Sequence, residues 1–147
     1  IFISSAYELI IDRKILLLKK SIKGGEQLNE EEITLEIDAK NQIIFPENLH
    51  FEINELGKVN WKLEADKIKL PLRIRHQKDG DLFHPMGMVG KKKIAKFFKD
   101  EKIPIFTQQK IWLLCDGNNQ VLGVLPFRQD RRFAKSNESS KIIKVKL

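Results

Sequence analysis

Apolar and polar residues alternate in short bursts along most of this chain, and one stretch repeats at the helical period instead. Tyr7-Glu8-Leu9-Ile10-Ile11 and Ile15-Leu16-Leu17-Leu18 flank Asp12-Arg13-Lys14, which predicts a hairpin. Ile33-Thr34-Leu35-Glu36-Ile37 alternates as a half-buried strand does. Phe51-Glu52-Ile53 and Val59-Asn60-Trp61-Lys62-Leu63 alternate in the same way, and loops such as residues 23–32 lie between these segments. After a boundary at Asp66-Lys67-Ile68-Lys69-Leu70-Pro71, Leu72-Arg73-Ile74-Arg75 predicts a strand with both arginines on one face. Asp79-Gly80 is a turn signal. Residues 90–102 predict the main helix, with Ile94, Phe97 and Phe98 on one stripe and Lys92, Lys96 and Lys99 opposite. Ile103-Pro104 ends it, because the residue before proline avoids the helical region. A short helical turn over Thr107–Lys110 follows. Ile111–Cys115 and Gln120–Leu125, joined by Asp116-Gly117-Asn118-Asn119, form a strong hairpin signal, and Ile142–Leu147 predicts a last strand. The pattern predicts an α+β chain of two small units. Residues 1–67 are β-rich, and residues 68–147 form a β-α-β-β domain with one main basic helix.

Charge sharpens that division. Residues 1–67 hold 9 Lys/Arg against 13 Asp/Glu, whereas residues 68–147 hold 18 against 7. The net charge of +7 therefore conceals an acidic first part and a strongly basic second part, an asymmetry that points to an anionic partner. Solubility alone does not require charges to be segregated. The densest run, Gly90-Lys91-Lys92-Lys93, sits where the helix is expected to start. A helix N-terminus is already electropositive, so lysines there work against folding unless a polyanion compensates them. No apolar run approaches the length of a membrane span, and a single cysteine, Cys115, rules out an internal disulfide framework and fits a reducing cytoplasm. Ile1 in place of Met, with no basic leader, suggests a piece of a longer protein without a signal peptide.

Catalytic chemistry finds little support in the residues. His50, His76 and His84 are far apart without ligand spacing, and Cys115 sits in an apolar strand, so no zinc set is apparent. Asp79 and Asp81 read as turn residues whose carboxylates cap backbone N–H groups, ahead of any shared ion. Neither Ser21–Gly25 nor Gly87–Lys91 has the spacing of a phosphate-binding loop. The basic residues carry the functional signal. Arg73, Arg75, Lys91, Lys92, Lys93, Lys96 and Lys99 line one surface if the strand lies beside the helix start, and Arg128, Arg131 and Arg132 form a second basic run. Such a surface suits duplex RNA, which proteins grip by shape, phosphates and 2′-hydroxyls. Phe83, Phe97, Phe98 and Trp112 fall in apolar patterns and are assigned to the core rather than to base stacking. The competing reading is a protein-interaction or oligomerisation module, compatible with a homodimer through exposed sheet edges.

From Leu72 to Phe133 the sequence resembles the C-terminal domain of bacterial tRNA(Ile)-lysidine synthetase. The resemblance rests on Arg73, Arg75, Gly80-Asp81, Phe83, Pro85, Gly87-Met88, Gly90, Lys92-Lys93, Phe97-Phe98, Lys102-Ile103-Pro104, Trp112, Leu114, Asp116-Gly117 and Arg128. It departs from the family pattern at Leu82, Gln108-Gln109 and Pro126-Phe127. The resemblance implies a parent ligase that joins lysine to the wobble cytidine of the CAU anticodon of tRNA(Ile), using ATP with magnesium. It implies that the pyrophosphate loop Ser-Gly-Gly-x-Asp-Ser, absent here, belongs to a separate catalytic part. These residues would hold no cofactor and no catalytic group, and would grip tRNA at the acceptor stem.

Overall fold

The structure, a computed structural model, describes residues 31–136 and 141–147. The expected hairpin over residues 7–18 and nearly all of the loop over residues 23–32 lie outside the described residues. In chain order the elements are β1 Glu32–Ile37, β2 Ile43–Ile44, α1 Glu47–Asn54, β3 Asn60–Glu64, β4 Leu72–Arg75, β5 Leu82–Phe83 and β6 Lys92–Lys93. Then come α2 Ile94–Asp100, α3 Ile105–Gln108, β7 Trp112–Cys115, β8 Val121–Leu125, β9 Arg128–Gln129 and β10 Ile142–Lys146. The fold is α+β, as the hydrophobic pattern predicts.

β7 and β8 are buried at every position, so the sheet they belong to needs cover on both sides there. That sheet is six-stranded and antiparallel in the order β2-β1-β4-β7-β8-β9. On one face, Leu72, Ile74, Trp112, Leu114, Leu122 and Leu125 pack with Leu49 and Ile53 of α1 and with Leu63, Ile143 and Val145 of the β3–β10 pair. On the other, Leu113, Cys115, Val121 and Val124 pack against Ile94, Phe97 and Phe98 of α2 and Phe83 of β5. A register shift between Leu114 and Cys115 lets Val121 and Val124 share that second face. Phe83 meets Phe97 edge-on, with ring centroids 5.2 Å apart.

The structure changes several expectations. Phe51–Ile53 lies in α1, not in a strand: Leu49 and Ile53 are buried four residues apart, and Phe51 is 70% exposed. Three alternating residues fit either period. The short helix near residue 107 begins two residues earlier, at Ile105, directly after Pro104. The division at residue 67 also fails as a packing boundary, since β1 pairs with β4 and β3 pairs with β10. Residues 32–147 form one compact unit. Charge segregation marks a surface, whereas alternating strands must pair with whichever strand completes the sheet.

The turn between β7 and β8 is tied to the approach to β4. Asp116 is buried, and its carboxylate accepts the N–H groups of Asn118 (3.0 Å), Gln120 (2.9 Å) and Lys69 (3.2 Å). Gly117 N–H donates to the Lys69 carbonyl at 2.5 Å, and a Cβ at Gly117 would stand 2.7 Å from the Leu70 carbonyl oxygen. Both obstacles are backbone, so they cannot rotate away. Gly117→Ala is therefore expected to lower stability by about 1–3 kcal/mol, read as an earlier urea midpoint with an unchanged slope.

Candidate nucleic-acid interface

The loop from His84 to Gly90 lies along the edge strand β9 and is fastened to it residue by residue. Met86 N–H donates to the Gln129 carbonyl and Arg131 N–H to the His84 carbonyl, both at 2.8 Å. His84 N–H donates to Asp130 Oδ2 at 2.8 Å. Arginine side chains add the outer ties. Arg128 Nη1 donates to the Met86 carbonyl (3.1 Å), Arg131 Nε to that of Met88 (3.0 Å) and Arg131 Nη2 to that of Gly90 (3.4 Å). Gly87 and Gly90 have φ of +86° and +82°, values that glycine adopts without steric penalty, and they let the loop reverse over so short a span.

Asp130 anchors this arrangement. It is wholly buried, and besides His84 it accepts Arg132 N–H and Nε through Oδ1 and Arg132 Nη2 through Oδ2, at 2.8, 3.1 and 3.0 Å. A buried carboxylate needs such partners, because desolvation without them is expensive.

The lysine run does not open the helix. Lys92 and Lys93 form β6, paired with Phe83 and Leu82 of β5, and α2 begins at Ile94 with Lys93 as its N-cap. These lysines thus stand just ahead of the first helical turn instead of within it. Ile94, Phe97 and Phe98 are buried and Lys96 and Lys99 exposed, as the helical period predicts. Lys92 and Lys96 converge on Asp100, Lys96 at 3.1 Å. Their hydrogen bonds, that of Lys92 foremost, hold the Asp100 carboxyl below its ordinary value. Lys91, Lys93 and Lys99 are exposed and have no carboxylate partner among the described residues.

The remaining cations divide. Lys91, Arg131 and Arg132 all bear on His84, whose pKa is lowered by burial first and by Arg132 next. Arg128 reaches toward Glu101 at 3.9 Å and lies over the Phe97 ring at 5.7 Å, joining β9 to α2. Arg75 requires a correction. It is 1% exposed and bidentate to Asp81 at 2.8 and 3.1 Å, with Nε on Asn119 and Nη1 also on the His76 carbonyl. The strand pleat does place it on the same face as Arg73, but the α2 side covers that face at Arg75, so its charge serves the fold. Arg73 is half-buried and turned to Glu32 (3.6 Å) and the Gly117 carbonyl (3.4 Å), and no described contact links it to the lysines.

Phe83, Phe97, Phe98 and Trp112 are core residues, as expected. Asp81 also accepts Lys78 N–H at 2.7 Å, in keeping with a turn carboxylate. Sequence reasoning missed Asp130, Asp100 and the whole loop-to-β9 ladder. The one available signal was an aspartate set inside the run Arg128-Gln129-Asp130-Arg131-Arg132.

Residues 72–145, from the first residue of β4 to nearly the end of β10, match the family model described as the TilS substrate C-terminal domain. The chain belongs to this family. A tRNA(Ile)-lysidine synthase of Parabacteroides distasonis is 30% identical over 154 aligned residues, covering 99% of this chain and 33% of that protein. A tRNA(Ile)-lysidine synthase of Clostridium tetani is 32% identical over 143 residues, covering 92% of this chain and 30% of that protein. The chain thus spans about a third of the length of these curated relatives. A crystal structure of a TILS C-terminal domain superposes with a TM-score of 0.51 at 24% identity, over 57% of this chain and 64% of the other, and shares its fold. Of the TilS C-terminal region, the matched stretch includes every residue of the basic surface described above.

The depressed His84 pKa gives a signed pH dependence. Unfolded chains take up the proton as pH falls through the ordinary value of 6.5, before the native His84 does. Its share of stability is therefore complete above that pH and is lost as pH falls toward the lower native value. Thermal melts from neutral to mildly acidic pH are expected to lose stability more steeply in the unmodified chain than in His84→Gln. Equal slopes would contradict the assignment.

Proposed function

We propose that this chain is the C-terminal part of a tRNA(Ile)-lysidine synthase and that its basic surface holds tRNA(Ile) by the phosphates of the acceptor stem. In the parent enzyme, a separate catalytic part would use ATP with magnesium and free lysine to convert the wobble cytidine of the CAU anticodon to lysidine, in the cytoplasm. The observation that carries this reading is the set of exposed lysines Lys91, Lys93 and Lys99, which have no carboxylate partner among the described residues, on a braced frame with Lys92, Lys96, Arg128, Arg131 and Arg132 around them. Cations that neutralise phosphates release counterions, so uncompensated lysines contribute more to RNA affinity than lysines already held by a carboxylate. The aromatics next to the lysines, Phe83, Phe97 and Phe98, are buried, so this surface offers no stacking platform, which favours a duplex over a flexible single strand. Membership of the TilS family and the names of the relatives agree in chemistry with this reading.

Binding of the chain to tRNA(Ile) and to its isolated acceptor-stem duplex is the test, followed by fluorescence anisotropy across a salt series. Affinity is expected to fall linearly on a log–log plot, with a slope of about −0.9 per phosphate contact. The variant Lys91→Glu/Lys93→Glu/Lys99→Glu should lose most binding and flatten the slope by roughly 3 phosphate equivalents. Its melting temperature should hardly move, because exposed unpaired lysines contribute little to folding. An unchanged affinity and slope in that variant would overturn the reading.

A further inference from the structure

The loop that leads into the lysine run exposes apolar side chains that folding does not use. Val89 is fully exposed at 102%, and Met86 at 40%. Leu82 is exposed as well, and its cross-strand partner is Lys93, which puts an aliphatic and a cationic side chain on one face of the β5–β6 pair. Hydrogen bonds tie the backbone on both sides of Val89. The carbonyls at Met86, Met88 and Gly90 receive arginine N–H groups, and Met88 N–H returns to the Pro85 carbonyl at 3.1 Å. Arg128 and Arg131 therefore spend much of their donor capacity on holding the loop, and Val89 stands exposed between two braced carbonyls, two residues before Lys91.

A pre-ordered segment with an apolar tip between cations fits a partner that is anionic outside and apolar within reach. We infer that Met86–Gly90 is a preformed prong whose tip, Val89, packs against ribose edges in the minor groove of an RNA duplex, between phosphates held by Lys91 and Lys93. The minor groove of A-form RNA is wide and shallow and displays its sugars, so a short aliphatic side chain reaches them without distorting the helix. An aliphatic tip offers no stacking plane, which sets this contact apart from single-strand binding. The exposed aromatics, Phe51 and Phe106, lie on α1 and α3, outside this loop. The inference rests on the tRNA reading above and adds a contact that charge alone does not provide.

Cys115 makes the contact measurable. It is the only cysteine in the chain, and burial pushes its thiol up to about 12, so it resists alkylation. In Val89→Cys the introduced thiol is then the reactive one. Iodoacetamide labelling of Val89→Cys is expected to slow about tenfold when a saturating acceptor-stem RNA duplex is added, as the free fraction falls. Labelling of Phe106→Cys on α3 should not change. Val89→Ser should bind the duplex several-fold more weakly with an unaltered salt slope and melting temperature, and Val89→Leu should bind as the unmodified chain does. If the duplex binds Val89→Cys yet leaves its labelling rate unchanged, the prong is overturned while the tRNA reading stands. If the unmodified chain binds no duplex, both fall. Equal protection of Val89→Cys by polyglutamate would assign the loop to an acidic polypeptide and also overturn the RNA contact.

Discussion

The carboxylate of Asp130 takes the His84 amide through one oxygen and the Arg132 amide and guanidinium through both, all within 3.1 Å and wholly out of solvent. A charge so placed is tolerable only while its partners stay fixed, so the bond works in both directions. Arg132 and the loop satisfy Asp130, and Asp130 pins the loop to the edge of the six-stranded sheet. Cover on an edge strand also limits unwanted strand pairing. From that seam the chain runs directly through Gly90 into Lys91–Lys93 and α2. The lysines inherit their positions from the seam on one side and from the buried Ile94, Phe97 and Phe98 on the other.

The basic residues then separate by what they already satisfy. Arg75 is a fold residue, since its planar fork closes on Asp81 and Asn119 and ties β4 to the turn before β5. Lys92 and Lys96 share Asp100. Arg128 and Arg131 are braces that keep a surface charge while donating to carbonyls. Lys91, Lys93 and Lys99 have no carboxylate partner among the described residues, and the proposed RNA contact depends most on them. A net charge gives only the excess of cations over anions, and hydrogen-bond geometry says which cations remain available.

Much of the fold was legible because long, strongly patterned segments announce themselves. The Ile94–Phe98 stripe, the 111–125 hairpin and the strands at 33–37, 59–63, 72–75 and 142–147 all follow from period and turn chemistry. The miss at Phe51–Ile53 came from too short a window. The two-residue strands β2, β5, β6 and β9 were invisible because no period is defined over two residues. Of the candidate site, composition pointed to the lysines proposed to bind, and burial was needed to withdraw Arg75. Asp130 could not be found from its charge type, because its role depends on a loop some 46 residues earlier in the chain. The charge split at residue 67 does not follow the packing, since β1 and β3 cross it to find their partners.

Amide hydrogen exchange and RNA affinity, measured together on Asp130→Ala and on the milder Asp130→Asn, bear on the whole arrangement. If the seam positions the surface, the His84, Met86 and Arg131 amides exchange faster, and affinity for the acceptor-stem duplex falls by about tenfold, although every lysine is intact. The asparagine variant, which keeps an acceptor but loses the charge, should lie between. Amides that lose their protection while affinity and salt slope stay those of the unmodified chain would contradict it, and would reduce the basic surface to charge without geometry.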